Sequence, residues 1–168
     1  MNNKLYAAII AAVALLFGAV AYCYAQSDDY LATCVRVIDG DTVDLADAEQ
    51  KLHRVRIVGM DAPELAQPYG RAAKAALSEL VLHKEVHVVP AGVDKYGREL
   101  DVLRQNSVIG QLDVAETMIS NGHAFSWGGA HYKAQEYAAA HRLGVWADLR
   151  YQERPWLYRR RINLAAGR

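Results

Sequence analysis

Cysteine is scarce: the 168 residues hold only Cys23 and Cys34. Cys23 lies in an apolar N-terminal run and Cys34 begins a strand pattern, so the two are not expected to pair. A disulfide framework and a thiolate metal site are therefore excluded, and Cys34 reads as a small core residue. The six histidines are scattered, and no i, i+4 pair lies on a predicted helix beside a glutamate, so a helical zinc-hydrolase motif is absent. An excess of one charge is missing too: Lys+Arg and Asp+Glu each total 19, for a formal net charge of zero. A uniformly basic nucleic-acid coat is excluded, and any polyanion would have to be held by a local patch. There is no internal repeat and no low-complexity linker. With 52% hydrophobic and 23% charged residues, a packed globular body is expected rather than disorder.

What is present begins with "MNNKLYAAIIAAVALLFGAVAYCYAQSDDY", in which Lys4 precedes an apolar run to Ala25 and then polar residues. This is either a secretory signal cleaved after Ala25 or a retained anchor, since the run is just long enough to span a bilayer. Residues 1–25 are set apart on that basis. The folded body, 26–150, is expected outside the cytoplasm, and 151–168 form a basic C-terminal tail.

Along the body, two strands meet at Asp39-Gly40, a turn-favouring dipeptide, and a third runs through "LHRVRIVGM". Pro63 in "MDAPE" ends that strand. "YGRAAKAALSELVLHK" places Ala72, Ala75, Ala76 and Leu80 at helical spacing, with Leu77 and Val81 widening the stripe. "EVHVVP" and "ELDVLRQ" are strands around the turn "DKYGR". "LDVAETMISNG" is a helix capped by Asp113 with Gly122 past its end, and "AQEYAAAHRLG" is a helix stopped at Gly144 and followed by Trp146 as a core plug. Three strands, a helix, two strands and further helices are the order of a small five-stranded barrel with appended helices. The ending "RYQERPWLYRRRINLAAGR" reads by default as a solvated tail with an aromatic docked on the body, a nucleic-acid arm being the alternative.

The chemistry starts from "IDGDTVDL". Val43 and Leu45 alternate as a half-buried strand does, and their parity puts Asp41 on the apolar side, where a carboxylate needs a cation, donors or a metal. Asp61 and Glu64 follow in "DAPE", Arg56 lies in the third strand and Arg98 in "DKYGR". Carboxylates gathered together need a cation between them, and oxygen-only ligands suit Ca²⁺ or Mg²⁺. Guanidinium groups bind the equatorial oxygens of a phosphodiester under attack, and Glu64 would be a general base for water. One conflict stands: strict alternation puts Arg56 and Asp61 on opposite faces unless Gly59 re-aims the chain.

"IDGDT", "RIVGMDAPE" and "DKYGR", in this order, with "RLGVW" and "RPWLYRR" near the end, closely resemble the thermonuclease (staphylococcal nuclease-like) family and its secreted bacterial branch. The resemblance spans about residues 33–160. It implies an α+β fold, mainly β: a five-stranded OB-fold barrel with about three helices and Ca²⁺-dependent cleavage of DNA and RNA. By the same resemblance Asp41, Asp61 and the Ala62 carbonyl would bind calcium, with Asp39 behind them. Arg56 and Arg98 would hold the phosphate, Glu64 would activate water, and Tyr96 would edge the nucleotide pocket. The family's pair of stacking tyrosines is replaced by "FSWGGAHY", so Trp127 or Tyr132 would stack on the base, and its Val-Asn helix opening reads Val114-Ala115. The expected partners are nucleic-acid substrates, with a membrane only if residues 5–25 are retained, and monomer is the default state. The rival reading is a non-catalytic, membrane-tethered OB-fold module that binds single strands.

Overall fold

The computed structural model describes residues 28–108 and 110–167, with a few helical positions between 6 and 16. The signal-or-anchor segment, residues 1–25, lies largely outside the described residues. Among those described, no helix is long and apolar enough to cross a membrane.

Five strands form the body: β1 (Tyr30–Val37), β2 (Thr42–Ala46), β3 (Leu52–Ile57), β5 (Glu85–Val93) and β6 (Glu99–Ser107). They pair antiparallel in the order β3-β2-β1-β5-β6, and a parallel contact of β3 with β6, Val55 opposite Glu99 through Ile57 opposite Asp101, closes the ring. The result is the five-stranded barrel with appended helices, an α+β OB-type fold. Closure removes the sheet's free edges, and alternate residues turn inward. Cys34, Val43, Leu45, Val55, Ile57, Val86, Val88 and Leu103 fill the interior, each fully or almost fully buried. Cys34 is free, as its place in the core requires.

Three short strands were not visible in the sequence. β4 (Met60–Asp61) pairs with β8 (Phe125–Ser126), and β7 (Gly110–Asp113) extends the sheet beyond β6. Leu112 therefore belongs to a strand and not to the following helix, because pairing with Gln105 competes successfully with helical periodicity there.

Within residues 28–167 there are four α-helices: α1 (Gly70–Val81), α2 (Val114–Ser120), α3 (Tyr132–Ala140) and α4 (Pro155–Ala165). α1 packs through Ala73, Leu77 and Val81, whereas Ala72 and Ala75 are exposed. The alanine-rich stripe pointed to a neighbouring face; the two larger side chains decide the orientation because they bury more apolar surface. Asp113 caps α2 as expected, its side chain accepting from the Glu116 N–H at 3.0 Å. α3 ends at Ala140 rather than at Gly144, since Arg142 already adopts a left-handed conformation (φ 55°) and reverses the chain. Trp146 is half-buried, its ring edge-on to Phe125 at 5.4 Å.

The largest revision concerns the C-terminus. Residues 155–165 form a helix opened by Pro155, a residue suited to a first helical position; Trp156 docks on the body as expected, and residues 160–167 are exposed. The segment is tied back to the barrel: the Gln67 amide donates to the Glu153 carbonyl at 2.6 Å, and Arg154 donates to the Gln135 side chain at 3.1 Å.

At the far end of the barrel, His53 is buried between Asp47 and Glu99, with ring nitrogens 2.9 Å from a carboxylate oxygen of each. Burial alone would depress its pKa, but the two carboxylates outweigh that and hold it above the ordinary value of 6.5. A histidine whose folded pKa is raised stabilises the fold fully below its unfolded value, and that contribution disappears as pH rises through the folded value. The melting temperature is therefore expected to fall as pH rises from 6.5, and His53→Gln to flatten that slope, as read by thermal denaturation across the range. A slope unchanged in the variant would remove His53 as its cause.

Candidate active site

The site forms where three segments meet at the barrel rim. The first is the turn between β1 and β2. Its Asp39 carboxylate accepts the Asp41 N–H at 3.0 Å, a local arrangement that fixes the turn. Gly40 leaves room for close approach: a Cβ there would stand 2.6 Å from the Ala62 Cβ and 3.0 Å from that of Ala73. Asp41 is 3% exposed. Its Oδ1 accepts from the Thr42 hydroxyl at 2.9 Å and from Arg56 Nη1 at 2.8 Å, and its Oδ2 accepts the Ala62 N–H at 3.1 Å. The inward aspartate thus has the donors its position demanded.

The second segment is the end of β3 and the loop after it. Gly59 has φ +81°, a left-handed turn, so Met60–Asp61 begins a new strand and does not continue the alternation of β3. This removes the parity conflict: Arg56 Nη2 donates to Asp61 Oδ1 at 2.6 Å. One guanidinium therefore bridges two aspartates, and Asp61 is fully buried. Glu64 follows, its backbone N–H donated to the Gln67 side chain at 3.2 Å.

The third segment is α4, and it supplies the residue that the sequence reading missed. Arg159 Nη2 donates to both oxygens of Asp61 at 2.9 and 3.1 Å, and its Nη1 donates to Glu64 Oε1 at 2.6 Å. "RPWLYRR" was the available signal, but nothing in the spacing says that a terminal arginine lands on residues almost a hundred positions earlier. Aromatic packing puts it there. Trp156 meets Trp127 edge-on at 5.2 Å, and the Arg154 guanidinium lies over the rings of Phe125, Trp146 and Trp156 at 4.8, 5.4 and 5.5 Å.

A cleft of about 440 Å³ opens on this core. Asp41, Arg56, Ala62, Glu64, Tyr96, Arg98 and Trp127 line it, with Arg159, Asp39 and Lys95. Asp61 lies behind that wall. Arg98 is held by Asp94, with Nε and Nη2 at 2.8 and 2.7 Å from Oδ2, while Asp94 Oδ1 accepts the N–H groups of Tyr96 and Arg98. The "DKYGR" turn is thus a device for aiming Tyr96 and Arg98. Tyr132 does not line the cleft. It opens α3 and is about half exposed, so of the two aromatic alternatives only Trp127 reaches the site.

The charge balance bears on a metal. Among the described residues the ion-pair partners of Asp41, Asp61 and Glu64 are Arg56 and Arg159, three acids to two guanidinium groups, with Lys95 and Arg98 on the same cleft wall. Burial pushes the Asp41 carboxyl up to about 7; Arg56 and the Ala62 N–H oppose the rise, and Asp39 and Asp61 add to it. A cation held beside Asp41 would favour its ionised form. The oxygen donors fit a hard divalent ion in kind. In number they are few: among the described residues no group of three or more His, Cys, Asp or Glu side chains is arranged to hold a metal.

Carboxylates gathered under guanidinium groups, beside a glutamate open to a polar cleft, suit a protein that must hold a phosphodiester and activate water; barrel and site together define a hydrolase of the nuclease class. Residues 54–148 match the family model described as staphylococcal nuclease homologue, and the chain belongs to that family. It is 34% identical over 165 residues to a micrococcal nuclease of Shigella flexneri, covering 91% of each chain. It is 31% identical over 169 residues to an uncharacterized endonuclease of Haemophilus influenzae, covering 98% of this chain and 91% of that one. A probable staphylococcal-like nuclease of Oryza sativa subsp. japonica is 33% identical over 144 residues, 80% of this chain and 36% of that protein. Asp41 and Arg159 both lie outside the stretch that the family model matches.

Breaking a buried ion pair by removing one partner costs about 3–5 kcal/mol. Arg56→Ala, which removes the ion-pair partner of Asp41 and one of the two guanidinium groups on Asp61, is expected to lose stability on that scale in urea denaturation with chelator present. Arg159→Ala should lose less, because Arg159 is more exposed. Calcium should restore part of the Arg56→Ala loss if the acids hold a divalent ion, and an Arg56→Ala protein as stable as wild type would show that the bridge contributes little.

Proposed function

We propose that this protein is a calcium-dependent nuclease that hydrolyses phosphodiester bonds of DNA and RNA with low sequence specificity, acting outside the cytoplasm. The observation that carries the reading is the convergence of Glu64, Arg56 and Arg98 on one cleft whose floor is the Asp41–Arg56–Asp61 bridge. The nuclease names of the relatives support the substrate class. The apolar segment Leu5–Ala25 supports export or membrane attachment, in keeping with a secreted bacterial branch.

In this reading Asp41, Asp61 and the Ala62 carbonyl would hold the calcium ion, which when bound supplies Lewis-acid charge at the phosphate and acidifies a bound water. Glu64 takes the proton as water oxygen attacks phosphorus and the bond to the leaving oxygen breaks. Arg159 engages only Oε1 of Glu64, which leaves Oε2 for the water. Arg98 holds a non-bridging phosphate oxygen, and Arg56 adds positive charge from the floor of the cleft. Trp127 and Tyr96 offer aromatic faces to a base, a contact that tolerates any sequence. Direct contacts to phosphate carry no sequence information, which accounts for the low specificity. A purely binding module would have no use for a general base, and the retained Glu64 argues against that rival.

The test is degradation of single-stranded DNA and of RNA by the protein in calcium, repeated in excess chelator. Activity that stops with chelator supports the reading, and binding without cleavage in both conditions favours the non-catalytic module. Glu64→Gln should keep nucleic-acid binding and lose most turnover; unchanged turnover would take Glu64 out of the base role. Arg98→Ala should lower kcat by about 10²-fold or more, and a mild effect would end its assignment to the transition state.

A further inference from the structure

Arg159 is a partition as well as an ion-pair partner. Behind it lies a second groove of about 410 Å³ that shares Asp39, Glu64 and Arg159 with the cleft. Its other walls come from the loop after Glu64 (Leu65, Ala66) and from α4 (Tyr158, Ile162, Asn163). The two spaces adjoin at Asp39, Glu64 and Arg159, which line both.

The lining restricts what can sit there. Leu65 and Ile162 are each 43% exposed and offer apolar surface, and the half-buried Tyr158 offers an aromatic ring. That ring is held in place: the Arg161 guanidinium lies over it at 5.1 Å and is itself anchored on Glu153 at 2.8 and 2.9 Å. A phosphate is a poor occupant, because the inner end carries the Asp39 and Glu64 carboxylates and Arg159 is already engaged by Asp61 and Glu64. An uncharged, planar, partly apolar group bearing N–H donors meets all of these walls, and the Asn163 amide could pair with its edge. The flanking charge suits the rest of such a ligand: α4 carries Arg159, Arg160 and Arg161 and no acid.

We propose that this groove is a second nucleobase subsite, taking the base of a nucleotide that flanks the scissile phosphate beyond Arg159, distinct from the faces of Trp127 and Tyr96 in the cleft. The inference rests on the nuclease reading above. The protein then grips single-stranded nucleic acid on both sides of the cleavage point, and α4 is part of its substrate-binding surface.

The experiment is fluorescence anisotropy of labelled thymidylate hexamers bound to the full protein in chelator, where cleavage is not expected. The hexamers are intact or carry one abasic nucleotide moved through each position. For wild type, base removal should weaken binding at positions on two sides of the centre. Tyr158→Ala should bind the intact hexamer about tenfold more weakly, the scale of one base–aromatic stack, and should lose the abasic penalty on one side only. Tyr158→Phe keeps the ring and should restore both, which separates stacking from misfolding. A Tyr158→Ala protein that binds every hexamer as wild type does overturns the subsite, and if it also degrades DNA in calcium the nuclease reading survives alone. Wild type that binds no hexamer overturns the subsite, and the nuclease reading then stands or falls on degradation in calcium.

Discussion

Arg56 binds Asp41 through one nitrogen and Asp61 through the other, and the rim of the barrel is arranged around that bridge. Taking a carboxylate out of water costs several kcal/mol, and here two are removed within reach of each other. A planar, permanently charged group with a fixed fork of donors sits between them and serves both; a lysine could not reach both in the same way. Neighbouring features serve this geometry. Gly40 lets the first turn lie against Ala62 and α1, and Gly59 breaks the alternation of β3 so that Asp61 turns toward Arg56.

The bridge leaves the cluster short of positive charge, and α4 answers part of the deficit from the other end of the chain. Arg159 reaches the second aspartate and the candidate base together. It can do so because Trp156 and Arg154 dock the helix on Trp127, Phe125 and Trp146, so electrostatics at the rim depend on aromatic packing some distance away. The same docking creates the groove behind Arg159. In this protein the C-terminal segment therefore belongs to the site in the physical sense: removing it would take Arg159 from Asp61 and Glu64 and erase part of the cleft wall.

Much of this was legible in the residues. The strands of the barrel showed as alternating β-branched runs, and Asp41, Asp61, Glu64, Arg56 and Arg98 stood out in three short blocks in the right order. The alternation of Val43 and Leu45 correctly placed Asp41 inward. Less legible were β4 and β8, two residues each, too short to carry any periodicity. An alanine-rich α1 could not declare its buried face, since alanine is nearly indifferent to burial beside leucine and valine. Trp127 and Tyr132 were equal candidates by type, and only the structure separated them, Trp127 lining the cleft and Tyr132 lying outside its lining.

Local pattern determined what local forces control: the strand faces, the Asp113 cap, the Asp94-anchored turn that aims Arg98, and the chemical kind of the site. These depend on residues within a few positions of one another, where spacing and side-chain type suffice. Tertiary structure alone decided which charges neutralise which. Asp61 meets Arg56 because a glycine turn reverses the chain, and it meets Arg159 because a helix some 98 positions away packs by its aromatics. A buried charge is stabilised by whatever cation lies within about 4 Å of it, and that distance is set by the whole fold, on which sequence separation has no bearing.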